Sequence, residues 1–297
     1  MRHKAHRAPH HAKHVVRRHW SFEKFWRGPL PKVILVCGVA VCLLTVFFRM
    51  SGNSDIDVLP EIRERGTVRI GVLEDEMPFS KVEDSATATG FEAELAALIG
   101  AQILGGPGGV VYVPVTVKND LALLSNEDVD LLISRVEVTA SNQESYQLSS
   151  VYYQDPVMLM TKNGATLDLS SSETKIGVIP NATIKPMLTD YLTTMGYPAL
   201  ITDISSYPDA LQALRDGKIN AFCAEQSVLN RYLANDLSLQ NIQIGHIDYA
   251  IATRNRERDL ANLIEKALAQ MRDDGTLAPL YQKYSLTMPV EQTTESK

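Results

Sequence analysis

Thr67-Val-Arg-Ile-Gly-Val72, Phe91-Glu-Ala-Glu-Leu-Ala-Ala-Leu-Ile-Gly-Ala-Gln-Ile-Leu104 and Val110-Val-Tyr-Val-Pro-Val115 are the stretches whose reading decides the fold. Residues 68–72 are a short β-branched run and read as a strand. Residues 91–104 carry apolar side chains at 91, 95, 98, 99 and 103, the stripe of a helix. Residues 110–115 read as the next strand. A strand, a helix and a strand in this order form a βα unit, and repeated units imply a mostly parallel sheet.

The alternation continues outward. A short helix over Asn119–Leu124 and a buried strand over Val129–Ile133 complete a first set. A second set follows: a strand over Lys175–Ile179, a helix to about Met195, a strand near Ala199–Thr202 and a helix over Pro208–Arg215. Next come a strand over Ile219–Cys223 and a helix over Ser227–Leu233. Tyr249–Thr253 reads as a last strand, and Asp259–Met271 as a long helix ended by Asp274-Gly275. The spacing predicts an α/β fold of two similar lobes. Open α/β sheets bind ligands beyond the carboxyl ends of their strands, so two facing lobes make a cleft that closes by hinge motion.

Charge divides the chain differently. The net charge of −6 over 297 residues conceals a basic head. Residues 1–32 carry nine Lys/Arg against Glu23 alone, for +8, and six of the seven histidines; the remainder carries −14. Between Lys32 and Arg49 lie sixteen uncharged residues, Val33 to Phe48. As a helix they cover about 24 Å, slightly less than the hydrocarbon core, and Lys32 and Arg49 can snorkel outward. A buried core helix is disfavoured by the basic flank. A cleaved signal peptide is disfavoured by the long head and the poor small-x-small match at Gly52-Asn53-Ser54. Residues 33–50 are therefore expected to be a transmembrane signal anchor. The positive-inside rule places residues 1–32 in the cytoplasm and the rest outside it. The irregular His spacing fits no metal site, and the head reads as a topology determinant drawn to anionic lipid, not as a nucleic-acid arm. Cys37 and Cys42 lie in the span, which leaves Cys223 alone in the exported part with no intramolecular disulfide.

The expected organisation is thus a tail (1–32), the anchor (33–50), a linker (51–58), a two-lobed domain (59–290) and a short tail (291–297). Lobe one takes about 59–158 and 246–290, and lobe two about 159–245. Gly105-Gly-Pro-Gly-Gly109 lacks a phosphate-binding pattern, and no cofactor or metal is expected.

Several motifs go further. Pro60-Glu-Ile-Arg-Glu-Arg-Gly-Thr-Val-Arg-Ile-Gly-Val72, Pro78-Phe79-Ser80 and Gly90-Phe-Glu-Ala-Glu-Leu95 resemble the opening of the family 3 extracellular solute-binding proteins. Asp130 to Thr139, Ser149-Ser-Val-Tyr-Tyr153, Ile176-Gly-Val178, residues 210–222 and Asp274 to Tyr281 resemble its later signatures in register. The resemblance covers roughly 58–285. It implies the type II periplasmic-binding-protein fold and, as function, binding of a polar amino acid for an ABC importer in the bacterial envelope.

The family's ligand grip is altered at several positions. Where Thr-x-x-Arg would place an arginine for the ligand α-carboxylate, the chain has Thr139-Ala-Ser-Asn142. Glu137 and Arg135 replace small residues. The loop at a helix N-terminus reads Asn181-Ala-Thr183, which is expected to keep its backbone donors and one hydroxyl. Glu225 stands for the aspartate that grips the ligand ammonium, and Phe79 is a stacking wall. The ligand-binding set is therefore Phe79, Arg135, Glu137, Asn142, Thr183 and Glu225, with Glu94 nearby, and its acids favour an amino-bearing ligand.

The bland readings of these residues are an Arg135–Glu137 pair on a solvated rim, Asn142 as a cap, and Glu225 at the surface. Functionally, the chain is expected to be a membrane-tethered solute-binding protein for transport or sensing, with an ABC permease as partner. The alternative is a degenerate binding fold acting in an envelope complex without ligand. An enzyme is the weakest of the three: no nucleophile–base motif is readable, His246 is the sole exported histidine, and only a short tail follows Ser285.

Overall fold

The computed structural model describes residues 55–181 and 183–289. The expected basic head, the anchor and the C-terminal tail lie outside the described residues. Among the described residues no helix is long and apolar enough to cross a membrane.

Helix α1 (Leu59–Arg65) starts with Pro60 in its first turn and stops at Gly66, whose φ of 70° caps the helix by N–H bonds to Arg63 and Ile62. Strand β1 (Val68–Leu73) follows, then β2 (Asp75–Glu76), β3 (Ser80–Val82) and β4 (Ala88–Thr89), which pair only with one another. Next come α2 (Phe91–Leu104), β5 (Val110–Val115), α3 (Asp120–Ser125), β6 (Leu131–Glu137), α4 (Ala140–Ser145), β7 (Tyr146–Leu148) and the long β8 (Tyr153–Lys162). The chain continues with β9 (Lys175–Val178), α5 (Ile184–Met195), β10 (Leu200–Asp203), α6 (Tyr207–Arg215), β11 (Ala221–Glu225) and α7 (Gln226–Tyr232). It ends with β12 (Leu237–Arg254), α8 (Arg258–Asp273) and α9 (Leu277–Lys283).

One nine-stranded sheet runs β10-β9-β11-β8-β12-β6-β1-β5, with β7 also on β12. At one end, β1 pairs in parallel with β5 and β6; at the other, β9 pairs in parallel with β10 and β11. These are the two lobes. Each is a parallel core buried on both faces, which is why Val68, Ile70, Val72, Leu131, Ile133, Ile176 and Val178 form near-continuous apolar runs. The expectation of a mostly parallel sheet is corrected at the centre. β8 and β12 run antiparallel, from Leu237↔Lys162 to Tyr249↔Tyr153, and thread both lobes. Only residues 249–253 of β12 read as strand in the sequence. The rest, with Gln240, Asn241, Gln243 and Gly245, lacks an apolar period because it forms the irregular middle of the strand, where register shifts fall between Leu239 and Gln243 and between Gln243 and Gly245.

Two local features aim the site. Gly90, at φ 112°, lets the backbone pass against the Phe79 carbonyl where any Cβ would collide. That contact joins α2 to the Phe79 turn, since Glu92 N–H donates to Phe79 O at 2.7 Å and Phe91 N–H to Pro78 O at 2.9 Å. On β6, the partners of Ala250 and Ala252 are Val136 and Leu132, so extra residues bulge from this strand. Arg135 lies in that bulge with φ 57°, a conformation that glycine adopts freely and a long side chain does not.

Candidate functional site

The bulge turns the Arg135 side chain into the space between the lobes. Its Nη2 donates to Tyr249 Oη at 2.8 Å and to Glu225 Oε1 at 3.4 Å, and Asp155 Oδ2 lies 3.9 Å away. The guanidinium carbon sits 5.1 Å from the Phe79 ring centre and 5.0 Å from that of Tyr249, within cation–π range of both. Tyr153 packs beside them, its ring 5.5 Å from Phe79. The result is a cation seat of two carboxylates and three aromatic rings. Glu225 comes from the end of β11 in lobe two, Arg135 from lobe one, and Asp155 and Tyr249 from the two crossing strands.

The seat is closed to solvent. The Arg135 and Glu225 side chains are only 9% and 10% exposed, and Phe79 and Tyr249 are buried. A void of ligand size against these groups would show as accessible surface on them, so the guanidinium itself fills the space. A cavity of about 310 Å³ shares Tyr153 and Ser227 with the cluster, but Arg135 and Glu225 are not in its wall.

Electrostatics follow from burial. Burial disfavours the Arg135 cation, yet Tyr249, Glu225 and Asp155 outweigh it and hold its pKa well above the usual value. Burial raises the Asp155 carboxyl to about 6 even though Arg135 and Ser227 oppose it. Ser227, at the start of α7, gives Asp155 both its hydroxyl and, at 3.2 Å, its backbone N–H. Behind the seat Glu92 is fully buried and pushed up to about 8. Glu92 Oε1 accepts the Arg135 backbone N–H at 2.8 Å and the Tyr152 hydroxyl. The bulge therefore has its amide satisfied by a carboxyl from α2 instead of by the sheet ladder.

The other half of the cleft holds Glu137, Thr183 and Asn142. Thr183, at the N-terminus of α5 in lobe two, donates its hydroxyl to Glu137 Oε2 at 2.5 Å. Asn142 Nδ2 donates to the Glu137 carbonyl at 2.8 Å, and its backbone N–H is taken by Thr139 Oγ1 at 3.2 Å. Asn142 is therefore not the cap of α4; Thr139 is. Among the described residues of the loop expected to keep its backbone donors, two donors are spent locally: Asn181 Oδ1 accepts from Thr183 N at 3.2 Å and Ile184 N at 2.6 Å.

Two groups thus emerge from the six sequence-derived residues. Phe79, Arg135 and Glu225 meet at the cation seat; Glu137, Asn142 and Thr183 meet beside it. Arg135 is bonded to Glu225 across the lobes, not to Glu137 on a rim, and Glu225 is buried, not superficial. Glu94 does not join them. It faces the other side of α2, where Lys283 and Tyr284 each donate to it at 2.5 Å.

Sequence reasoning missed Asp155, Tyr249, Glu92, Tyr152, Ser227 and Asn181. A signal existed for Asp155. Arg135 and Asp155 are each embedded in apolar strands, and a charge buried there requires a counter-charge. Cys223 is buried in β11, which pushes its thiol up to about 12 and leaves it unreactive at neutral pH. Among the described residues no cluster of three His, Cys, Asp or Glu could hold a metal ion.

Several proteins similar to this chain are named as amino-acid-binding proteins. The chain is 24% identical over 247 residues to the ABC transporter glutamine-binding protein GlnH of Bacillus subtilis, covering 81% of this chain and 89% of that protein. It is 25% identical over 257 residues to the L-cystine-binding protein TcyJ of Escherichia coli, with coverages of 83% and 93%. Among solved structures, the amino acid ABC transporter substrate-binding protein AbpA of Streptococcus pneumoniae, bound to L-arginine, superimposes with a TM-score of 0.59 at 20% identity. That match covers 77% of this chain and 99% of AbpA. An ancestral amino acid-binding protein described as a precursor of cyclohexadienyl dehydratase matches with a TM-score of 0.61 at 24% identity, with the same coverages. The sequence profile of the bacterial extracellular solute-binding proteins, family 3, matches residues 68–287, and the chain, with its two lobes and the cleft between them, belongs to that family.

Proposed function

We propose that this protein binds a small, polar, amino-bearing solute between its lobes, outside the cytoplasm, and presents it to a membrane partner such as an ABC permease. The observation that carries this is the cation seat: Glu225 and Asp155 face a guanidinium enclosed by Phe79 and Tyr249. Carboxylates and aromatic faces select a cation and discriminate against anions. Glu225 Oε2 is buried with no hydrogen-bond partner among the described residues, an acceptor that a ligand N–H would satisfy. The relatives named above support the class of ligand, and the uncharged run of residues 33–48 behind a basic head supports a tether. The three cleft carboxylates, Glu225, Asp155 and Glu137, are each engaged by a cation or a hydroxyl donor, which supports binding and not catalysis. The test is calorimetry of the full chain in detergent with amino acids and polyamines; the reading requires saturable binding of at least one ammonium-bearing compound and none of a plain dicarboxylate.

A specific observation favours a second reading. Among the described residues, several lobe-two groups that would meet a ligand already have an internal partner: Glu225 Oε1 has Arg135, the Thr183 hydroxyl has Glu137, and the Thr183 and Ile184 backbone donors have Asn181. A binding fold closed on itself can act as a regulatory or structural partner in an envelope complex. Co-purification of a stable protein partner without solute, together with silence in the calorimetric screen, supports this second reading over the first.

A further inference from the structure

Arg135 and Glu137 lie two residues apart on β6, and both side chains reach lobe two. One carries a cation and the other a carboxylate, and each ends on a different lobe-two group: Glu225 for the cation, Thr183 for the carboxylate. These are the two poles that an amino acid presents. The backbone at Arg135 is in the left-handed region, held there by Glu92 and Tyr152 on its N–H. A non-glycine residue stays in such a conformation only where its surroundings over-determine it, and here the conformation is what aims the guanidinium across the cleft.

We propose that Arg135 and Glu137 are a built-in ligand, closing the lobes in the absence of solute by occupying Glu225 and Thr183, so that a solute binds only by displacing them. This rests on the reading of the cleft as the solute site and adds how that site is controlled. A solute then meets a protein whose binding-competent form is a small fraction of the population. Its apparent affinity is weakened by that fraction, and removing the internal ligand restores it.

The test uses the full chain in detergent, with Cys37 and Cys42 replaced by serine and spin labels on cysteines introduced at the exposed Lys118 of lobe one and Lys218 of lobe two. Without solute, the wild-type side chains at 135 and 137 should give one short label distance. The pair Arg135→Gly with Glu137→Gln should lengthen it, and L-arginine should shorten it again, with calorimetric affinity for L-arginine at least tenfold tighter than in the unsubstituted chain. Arg135→Gly alone should bind guanidinium ion, which the unsubstituted chain should not. If Arg135→Gly does not fold, Glu225→Gln with Thr183→Ala removes the same contacts from the other lobe and must lengthen the distance. An unsubstituted chain that is open without solute and closes with an amino acid overturns the built-in ligand and leaves the solute site standing. Variants that stay closed without solute overturn it as well. Variants that open while no chain binds any amino-bearing compound support the internal latch and remove the solute reading.

Discussion

Arg135–Glu225 and Arg231–Glu76 both join the lobes, and they differ in almost everything but chemistry. Arg135–Glu225 is enclosed by Phe79, Tyr249 and the crossing strands, with side chains 9% and 10% exposed. Arg231–Glu76, between α7 and β2, stands in water with 37% and 38% exposure. The buried pair spans 3.4 Å and leaves Arg135 Nε and Glu225 Oε2 without partners among the described residues. Desolvation makes the buried charges interdependent, so removing one strands the other, while water replaces either partner of the exposed pair at little cost.

The largest effect should therefore come from breaking the buried pair on one side. Arg135→Ala leaves Glu225 and Asp155 without their shared cation and is expected to lower the unfolding free energy by about 3 kcal/mol, partly offset by relief of the left-handed backbone. In a Glu225→Gln background the same substitution should cost less than half as much. Urea denaturation of the four chains measures this coupling. Equal costs in both backgrounds would show that the two side chains act independently.

Protonation sharpens the contrast, because among the described residues the strongly raised carboxyls lie in the buried region. Glu92 is raised by burial to about 8 and Asp155 to about 6. A raised carboxyl binds more protons folded than unfolded, so its stabilising contribution is complete below the unfolded pKa and is lost as pH rises through the folded one. For Glu92 the window runs from the ordinary carboxylate range up to about pH 8, and at ~1.4 kcal/mol per unit it accounts for about 3 kcal/mol between pH 5 and pH 8. The thermal midpoint should fall by roughly 6 °C across that interval. Glu92→Gln, which stays neutral, should flatten most of the slope; an unchanged slope assigns it to other groups.

How much of this was legible differs between frame and site. Residues 68–72, 91–104 and 110–115 announced a βα unit because each lies against the lobe-one core, and burial enforces periodicity. The crossing strands were not legible. β8 and β12 pass from one lobe to the other, and the middle of β12 has no single buried face to impose a pattern, so Gln243 and Gly245 read as loop. At the site, the types of residue at 135, 137, 142 and 225 were readable as departures from a pattern, but not their partners. Arg135 and Glu137 sit closer to each other along the chain than to anything their side chains bond. What separates them is the bulge in β6, and that bulge depends on Glu92, forty-three residues earlier, accepting the Arg135 amide. Side-chain direction across a cleft is set by the backbone dihedrals of a few residues, and composition carries no record of those.

The Glu137–Thr183 contact lies between the two extremes, since both residues are half-buried. Thr183→Val keeps the shape of the side chain and removes the donor. Its cost should be about 1 kcal/mol, the net worth of one hydrogen bond to a charged acceptor that can still reach water. Chemical denaturation at neutral pH measures it. A cost near that of Arg135→Ala would mean that both poles of the cleft, not only the cationic one, are desolvated on closure.

The smallest effect belongs to the exposed pair, and its smallness is the point of the comparison. Arg231→Ala removes a cross-lobe contact in which both side chains remain more than one-third exposed. In that setting Coulomb attraction is weakened by water, and holding two long side chains together costs entropy. The change in unfolding free energy should stay below about 1 kcal/mol and shrink further in 0.5 M salt, where charges are screened within a few ångströms. The Arg135→Ala cost should hardly respond to the same salt. Denaturation of both variants at two ionic strengths checks the pair together. If salt weakened the two contacts equally, Arg135 would have to be hydrated in solution, and the closed cation seat could not be the resting state of the cleft.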